Sequence, residues 1–200
     1  NDSTGTVAHG LSVAPELCAF KNRDADSGWG IMSSTLSWTS GMSWNSDAAP
    51  VSSTQVTTSA TIINLAQGAF NVNGYGGGGG DMICYAFHSV EGYSKVGKYV
   101  GNGNADGPFI YTGFRPAYIM IKAAPSWAGG HWHLFDTKRY AYNQTSNTTT
   151  TGLVADDTGN DGGGGGEGAG PIDILSNGFK IRNSNGNDNA NTDTIIFLAF

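Results

Sequence analysis

The chain has 200 residues, a formal net charge of -6 and 38% hydrophobic residues, and only 13% of its residues are charged. That length holds one large domain or two small ones, and five Trp, eight Tyr and nine Phe supply the apolar area of a folded core. An acidic balance without any run of Lys or Arg excludes the footprint of a nucleic-acid or anionic-membrane binder, and no apolar run approaches the roughly 20 residues of a spanning helix, so neither nucleic acid nor membrane insertion is expected.

Of sixteen acidic residues only Glu16, Glu91 and Glu167 are Glu, and Leu and Lys are also scarce. The usual helix formers are replaced by Thr, Ser, Asn, Asp and 31 Gly, a vocabulary of strands and turns. The expected fold is all-β, with few or no helices. No charged n-region or apolar h-region opens the chain, and Phe200 follows directly on an apolar strand, which reads as an excerpt from a longer protein.

Taken in chain order, the predicted elements occur twice. Thr6–Leu11 aligns with Phe109–Phe114, Gly10 falling on Gly113 at an offset of 103. Pro15–Lys21 aligns with Pro116–Lys122 at an offset of 101, and Gly28-Trp29-Gly30 with His131-Trp132-His133. Asn73-Gly74-Tyr75 is then matched to Asn177-Gly178-Phe179, and Met82–Phe87 to Ile195–Phe200. Length differences are confined to polar loops, which predicts two related units, 1–90 and 91–200. Tyr93–Gly103 opens the second unit and has no counterpart in the first, whose opening strand is expected to lie ahead of Asn1.

Each unit reads as short strands separated by turns, the pattern of a β-sandwich or jelly roll; two small sandwiches or one composite sandwich satisfy it. Ala117–Lys122 and Thr194–Phe200 are nearly continuous apolar runs, as expected for strands buried on both faces. Gly74 and Gly178, each after Asn, read as two-residue hairpin turns that require positive φ. Cys18 and Cys84 sit inside apolar runs as small hydrophobes, which excludes a disulfide scaffold but leaves a single bond between them open. The pentaglycine runs at 76–80 and 162–166 and the Thr-rich 143–151 read as loops; the Asn-x-Thr triplets at Asn143 and Asn147 matter only in a glycosylating host.

The chemistry of a catalytic or metal site is weakly represented. A glycosidase needs two carboxylates held roughly 5 to 10 Å apart, whereas Asp24, Asp26, Asp156, Asp157, Asp161, Asp188 and Asp193 fall in turn-rich segments. His131 and His133 share a strand face and could reach one metal, but the first unit has Gly28 and Gly30 there, and no third ligand is evident. The shared Trp29 and Trp132 are therefore assigned to the core. Asp156, Asp157, Asn160 and Asp161 offer oxygen ligands for calcium without EF-hand spacing. Neither Ser nor Cys has the setting of a nucleophile. A non-enzymatic protein without metal or cofactor is expected.

Aromatics that the repeat does not duplicate are less constrained by the fold. Trp38, Trp44, Trp127, Tyr140 and Tyr142 qualify as ligand-binding candidates for a glycan, whose rings stack on aromatic faces while neighbouring polar groups hydrogen-bond to their hydroxyls.

His9–Pro15, His88–Ser94, Tyr99–Gly103, Tyr111–Pro116, Leu175–Lys180 and Ile195–Phe200 together resemble a repeat family of unassigned function found in tail-fibre and other virion proteins of marine bacteriophages. The likeness covers nearly the whole chain. It implies a place on the virion surface, outside the cell, and an adhesive or structural role. It also implies a homo-oligomer, with a trimer favoured, and other virion proteins as partners. The expected function is a tail-fibre or receptor-binding segment presenting variable loops to a host surface glycan or protein; a capsid-decorating or fibre-shaft module and a polysaccharide depolymerase are the alternatives.

Overall fold

A computed structural model gives the architecture of residues 5–24, 26–52, 56–66, 81–124, 130–139, 152–156 and 170–200. The described residues are nearly all β, with one four-residue helix and one short 3-10 turn at Ser34–Leu36. The chain divides into two compact units: unit 1 comprises 1–45 and 50–88, and unit 2 comprises Ser46–Ala49 and Ser89–Phe200.

Unit 1 contains β1 (Gly5–Ala8), β2 (Leu17–Asn22), β3 (Gly30–Ser33), β4 (Ser40–Ser43), β5 (Val51–Ser52), β6 (Val56–Thr58), β7 (Ile62–Leu65) and β8 (Met82–Phe87). Unit 2 contains β9 (Lys95–Val100), β10 (Phe109–Tyr111), β11 (Tyr118–Ala123), β12 (Trp132–Asp136), β13 (Leu153–Val154), β14 (Ile172–Leu175), β15 (Gly178–Ile181), helix α1 (Gly186–Asn189) and β16 (Thr194–Ala199). Every pairing is antiparallel. The sheets of unit 1 run β5-β4-β3-β2-β8 and β1-β7-β6; those of unit 2 run β13-β12-β11-β16-β9 and β10-β15-β14.

The register carries the repeat down to single residues. Cys18 pairs with Met32 and Ala86 as Ile119 pairs with Phe135 and Ala199. Loop hydrogen bonds recur as well. Glu16 N donates to Phe87 O and Ala117 N to Phe200 O, while Ser34 N donates to Glu16 O and Thr137 N to Ala117 O. Gly10 and Gly113 both lie at positive φ, +69° and +89°, where a side chain would be strained.

Alternation decides each core. In unit 2, Ile119, Ile121, Phe135, Ile195 and Phe197 of the five-stranded sheet meet Ile110, Ile172, Ile174, Phe179 and Ile181 of the three-stranded sheet in one cluster. In unit 1 the smaller set is Cys18, Phe20 and Met32 against Val56 and Ile63. β11 and β16 are buried on both faces, as their unbroken apolar runs predict.

Two expectations need correction. The two residues between β14 and β15 are Ser176 and Asn177, with Leu175 paired to Gly178, and Gly178 is not at positive φ. It is glycine because a Cβ there would stand 2.1 Å from Ile110 O on β10. The match of Asn73-Gly74 to Asn177-Gly178 also fails, because Ala8 pairs with Ile62 as Tyr111 pairs with Gly178. His9 N donates to Thr61 O as Thr112 N does to Asn177 O, so Thr61-Ile62 fills the place; Asn73 and Gly74 lie outside the described residues.

Candidate functional site

Trp29 precedes β3 and Trp44 follows β4, where Trp44 N donates to Trp29 O at 2.9 Å. The indoles meet edge to face, with centroids 5.9 Å apart and planes at 77°. On the other side Trp29 stacks on Tyr85 of β8 at 6.0 Å and 28°. Both geometries are ones aromatic quadrupoles favour. Trp29 and Trp44 are half-buried and Tyr85 is 48% exposed, so the group shows ring surface to solvent. Exposed Asn45 completes it by accepting from Trp29 N at 3.0 Å. Gly28 permits this closeness, since a Cβ there would sit 2.6 Å from Asn45 Oδ1.

Unit 2 repeats the frame and changes the chemistry. Ala155 N donates to Trp132 O, and Asp156 accepts from Trp132 N at 3.1 Å, the places held by Trp44 and Asn45. Lys21 Nζ donates to Ser27 O and Lys122 Nζ to Gly130 O, so each lysine bonds the carbonyl two residues ahead of the repeated Trp. Trp29, Asn45 and Lys21 thus hold places that the repeat frame itself uses. Trp44 corresponds in position to Ala155 and Tyr85 to Leu198; these two rings are what unit 1 adds. Trp132 is only 1% exposed and belongs to the core as expected, whereas Trp29 does not, because Trp44 and Tyr85 hold it at the surface.

Among the other sequence-predicted candidates, Trp38 packs against the unit 1 core cluster. Ser37 and Trp38 have φ of 65° and 55°, a left-handed exit from the 3-10 turn. Trp38 therefore anchors the turn and stands apart from the Trp29 group. Trp127, Tyr140 and Tyr142, both pentaglycine runs, Asn143 and Asn147 lie outside the described residues. Tyr85 was missed by sequence reasoning, although its alignment with Leu198 carries the same signal that singled out Trp44.

The polar candidates are tied into the fold. His131 meets Asp156 at 3.2 Å, while His133 Nδ1 is hydrogen-bonded to Asp188, both side chains fully buried. The two imidazoles therefore serve different carboxylates. Asp188 Oδ2 also accepts from Gly170 N at 2.7 Å and Asn183 Nδ2 at 3.3 Å, and Tyr99 OH donates to Asp188 O at 2.7 Å. Burial, with the Asp188 charge, raises the Tyr99 phenol well above its ordinary range. Asp24 accepts from Asp81 N at 2.6 Å. Asp157, Asn160 and Asp161 are outside the described residues, and among those described no three His, Cys, Asp or Glu gather as metal ligands. Cys18 and Cys84 are free thiols on one face of β2 and β8; the Cys18 thiol is held far above its ordinary range by its hydrogen bond to Cys84 and by burial. No described helix is long and apolar enough to cross a membrane.

These features define an antiparallel β protein of two repeated units, with a surface aromatic group, Trp29–Trp44–Tyr85, two of whose rings the repeat does not duplicate. The family model of a domain of unknown function, DUF7483, matches residues 1–200, and the chain belongs to that family. No curated protein and no solved structure matches it.

Proposed function

We propose that the chain is a non-enzymatic virion surface segment of tail-fibre or receptor-binding type, built as two tandem jelly-roll-like β-sandwich units and holding a host surface glycan through Trp29, Trp44 and Tyr85. The observation that carries the glycan reading is the Trp29–Trp44–Tyr85 group: two of its three rings are absent from the duplicate frame, yet they lie together with ring surface exposed beside the Asn45 amide. Stacking of sugar C–H faces on such rings, with a side-chain amide at the rim, suits a neutral saccharide. The virion location, a homotrimer and other virion proteins as partners rest on the resemblance of the motifs described above. Among the described acidic residues, Asp24, Asp156 and Asp188 are committed to backbone or imidazole partners, which favours adhesion over depolymerisation.

The test is titration of the assembled protein with saccharides released from host cell surfaces, following tryptophan fluorescence. Saturable quenching, weakened about ten-fold or more by Trp44→Ala, is expected, since a lost aromatic contact of ~1.4 kcal/mol is worth that factor. Absence of binding by the assembled protein would remove the reading. A shaft or decorating module is favoured by a different surface: Phe109 and Tyr111 on β10 are 45% and 65% exposed, a face suited to a sister subunit. Burial of both rings in an assembly that binds no saccharide would establish that alternative.

A further inference from the structure

The repeat frame shows one place where the units differ by a whole strand. β8 and β16 are equivalent, and each pairs on one side with the equivalent strands β2 and β11. On its other side β16 carries β9 in a six-residue antiparallel ladder from Thr194–Val100 to Ala199–Lys95. β8 is the outermost strand of its sheet, with no neighbour beyond it among the described residues.

Burial follows that difference. Ile195, Phe197 and Ala199 are 0%, 4% and 0% exposed and belong to the unit 2 core with Tyr99 of β9. Their counterparts Met82, Cys84 and Ala86 are only partly buried at the rim of the unit 1 core. On the opposite face Leu198 is 3% exposed and its counterpart Tyr85 is 48% exposed. An outermost strand with an apolar, half-covered inner face is a template for another strand, and such edges are usually blocked by charge, proline or a bulge. Met82–Phe87 has no charged residue and no proline.

We propose that the outer edge of β8 is an acceptor site for one added β-strand: an extended polypeptide segment of β9 type, running antiparallel to β8 in the register β9 takes on β16. Backbone hydrogen bonds supply the affinity and the alternate side chains the selectivity. The residue in the place of Tyr99 lies opposite Met82, that of Gly97 opposite Cys84, and that of Val96 opposite Tyr85. Gly97 is compelled in unit 2, where a Cβ would come within 2.5 Å of the Phe197 ring. Cys84 stands in that ring's place in unit 1, so the acceptor takes a larger residue there. The added strand would border the Trp29–Tyr85 stack on one side, but the proposal does not depend on saccharide binding.

The test supplies the strand in cis, which raises its effective concentration to roughly millimolar. A copy of Ser89–Gly103 is fused directly ahead of Asn1 in the full chain, which keeps the offset of 103 between the opening strands of the units. Amide hydrogen exchange is then read at Met82–Ala86. Slowing of about ten-fold or more relative to the parent chain is expected, together with a higher melting temperature for unit 1. Proline at the copied Gly97 or the copied Lys98, neighbours whose N–H groups point to opposite edges, should abolish the slowing in one case. A copied strand carrying Gly97→Val should retain it. Exchange at the parent rate in the unmodified graft overturns the proposal, as does protection already present in the parent that grows with protein concentration, which would mean that β8 edges of two copies pair with each other.

Discussion

Lys122 shows how one residue can be fixed by the frame and still carry a measurable consequence. Burial lowers its ammonium to about 8, against the opposing pull of Asp156 and Asp47. It is nevertheless held in place by Gly130 O, by Ser46 O at 3.2 Å and by the Trp132 ring at 5.7 Å. Below pH 8 the amine is charged in both folded and unfolded chains. Between 8 and its ordinary value of 10.5 the unfolded chain holds the extra proton, so stability rises with pH by at most about 3 kcal/mol. Tyr118, pushed up to about 12 mainly by burial, acts in the opposite sense above pH 10, which leaves the interval from 8 to 10 to Lys122. Denaturant unfolding of unit 2 should show that rise, and Lys122→Met should flatten it. Asp188 makes the stronger prediction. Asp188→Ala removes the shared acceptor of His133 Nδ1, Gly170 N and Asn183 Nδ2 and should cost about 3 kcal/mol or more, read by the same unfolding measurement. That residue was not legible in the sequence: an Asp among Asn and Gly has the composition of a turn, and the partner that buries it, His133, is 55 residues away. Lys21 and Lys122 were legible as a repeated position, though not their shared task.

At the scale of elements, the apolar runs of β2, β11 and β16 were readable because strands buried on both faces leave an unbroken hydrophobic signature, and β8 carries the same run although its sheet edge leaves it only partly covered. The three-stranded sheets were harder. β7 carries Ile62-Ile63-Asn64-Leu65 where β15 carries Gly178-Phe179-Lys180-Ile181, and only pairing to β1 and β10 reveals that they correspond. The Asn-Gly signal misled because Gly178 is used for a close backbone approach, whereas the same dipeptide is a common turn. Gly178→Ala should therefore separate β10 from β15, lowering stability by roughly 1–3 kcal/mol, with faster amide exchange confined to Ile110 and its neighbours. A conventional turn glycine would leave that pairing intact.

For the whole molecule, duplication separates what the fold needs from what one unit adds. Trp29 and Trp132, Lys21 and Lys122, Asn45 and Asp156, and Gly10 and Gly113 hold matching places by register or hydrogen bond. Trp44 and Tyr85 do not, and they meet on Trp29. The sequence alone brought Trp44 forward by this criterion; Tyr85 met the same criterion through its alignment with Leu198, but its exposure, 48% against 3%, is legible only in the structure. The most direct measurement is a comparison of Trp132→Ala with Trp44→Ala and Tyr85→Ala, each scored for unfolding free energy and for binding of host-surface saccharide by the assembled protein. Trp132→Ala should cost about 3–5 kcal/mol, while Trp44→Ala and Tyr85→Ala should each cost less than about 1 kcal/mol and weaken saccharide binding. Unfolding of unit 1 by Trp44→Ala as severe as that caused by Trp132→Ala, or saccharide binding unchanged in both surface variants, would contradict the account.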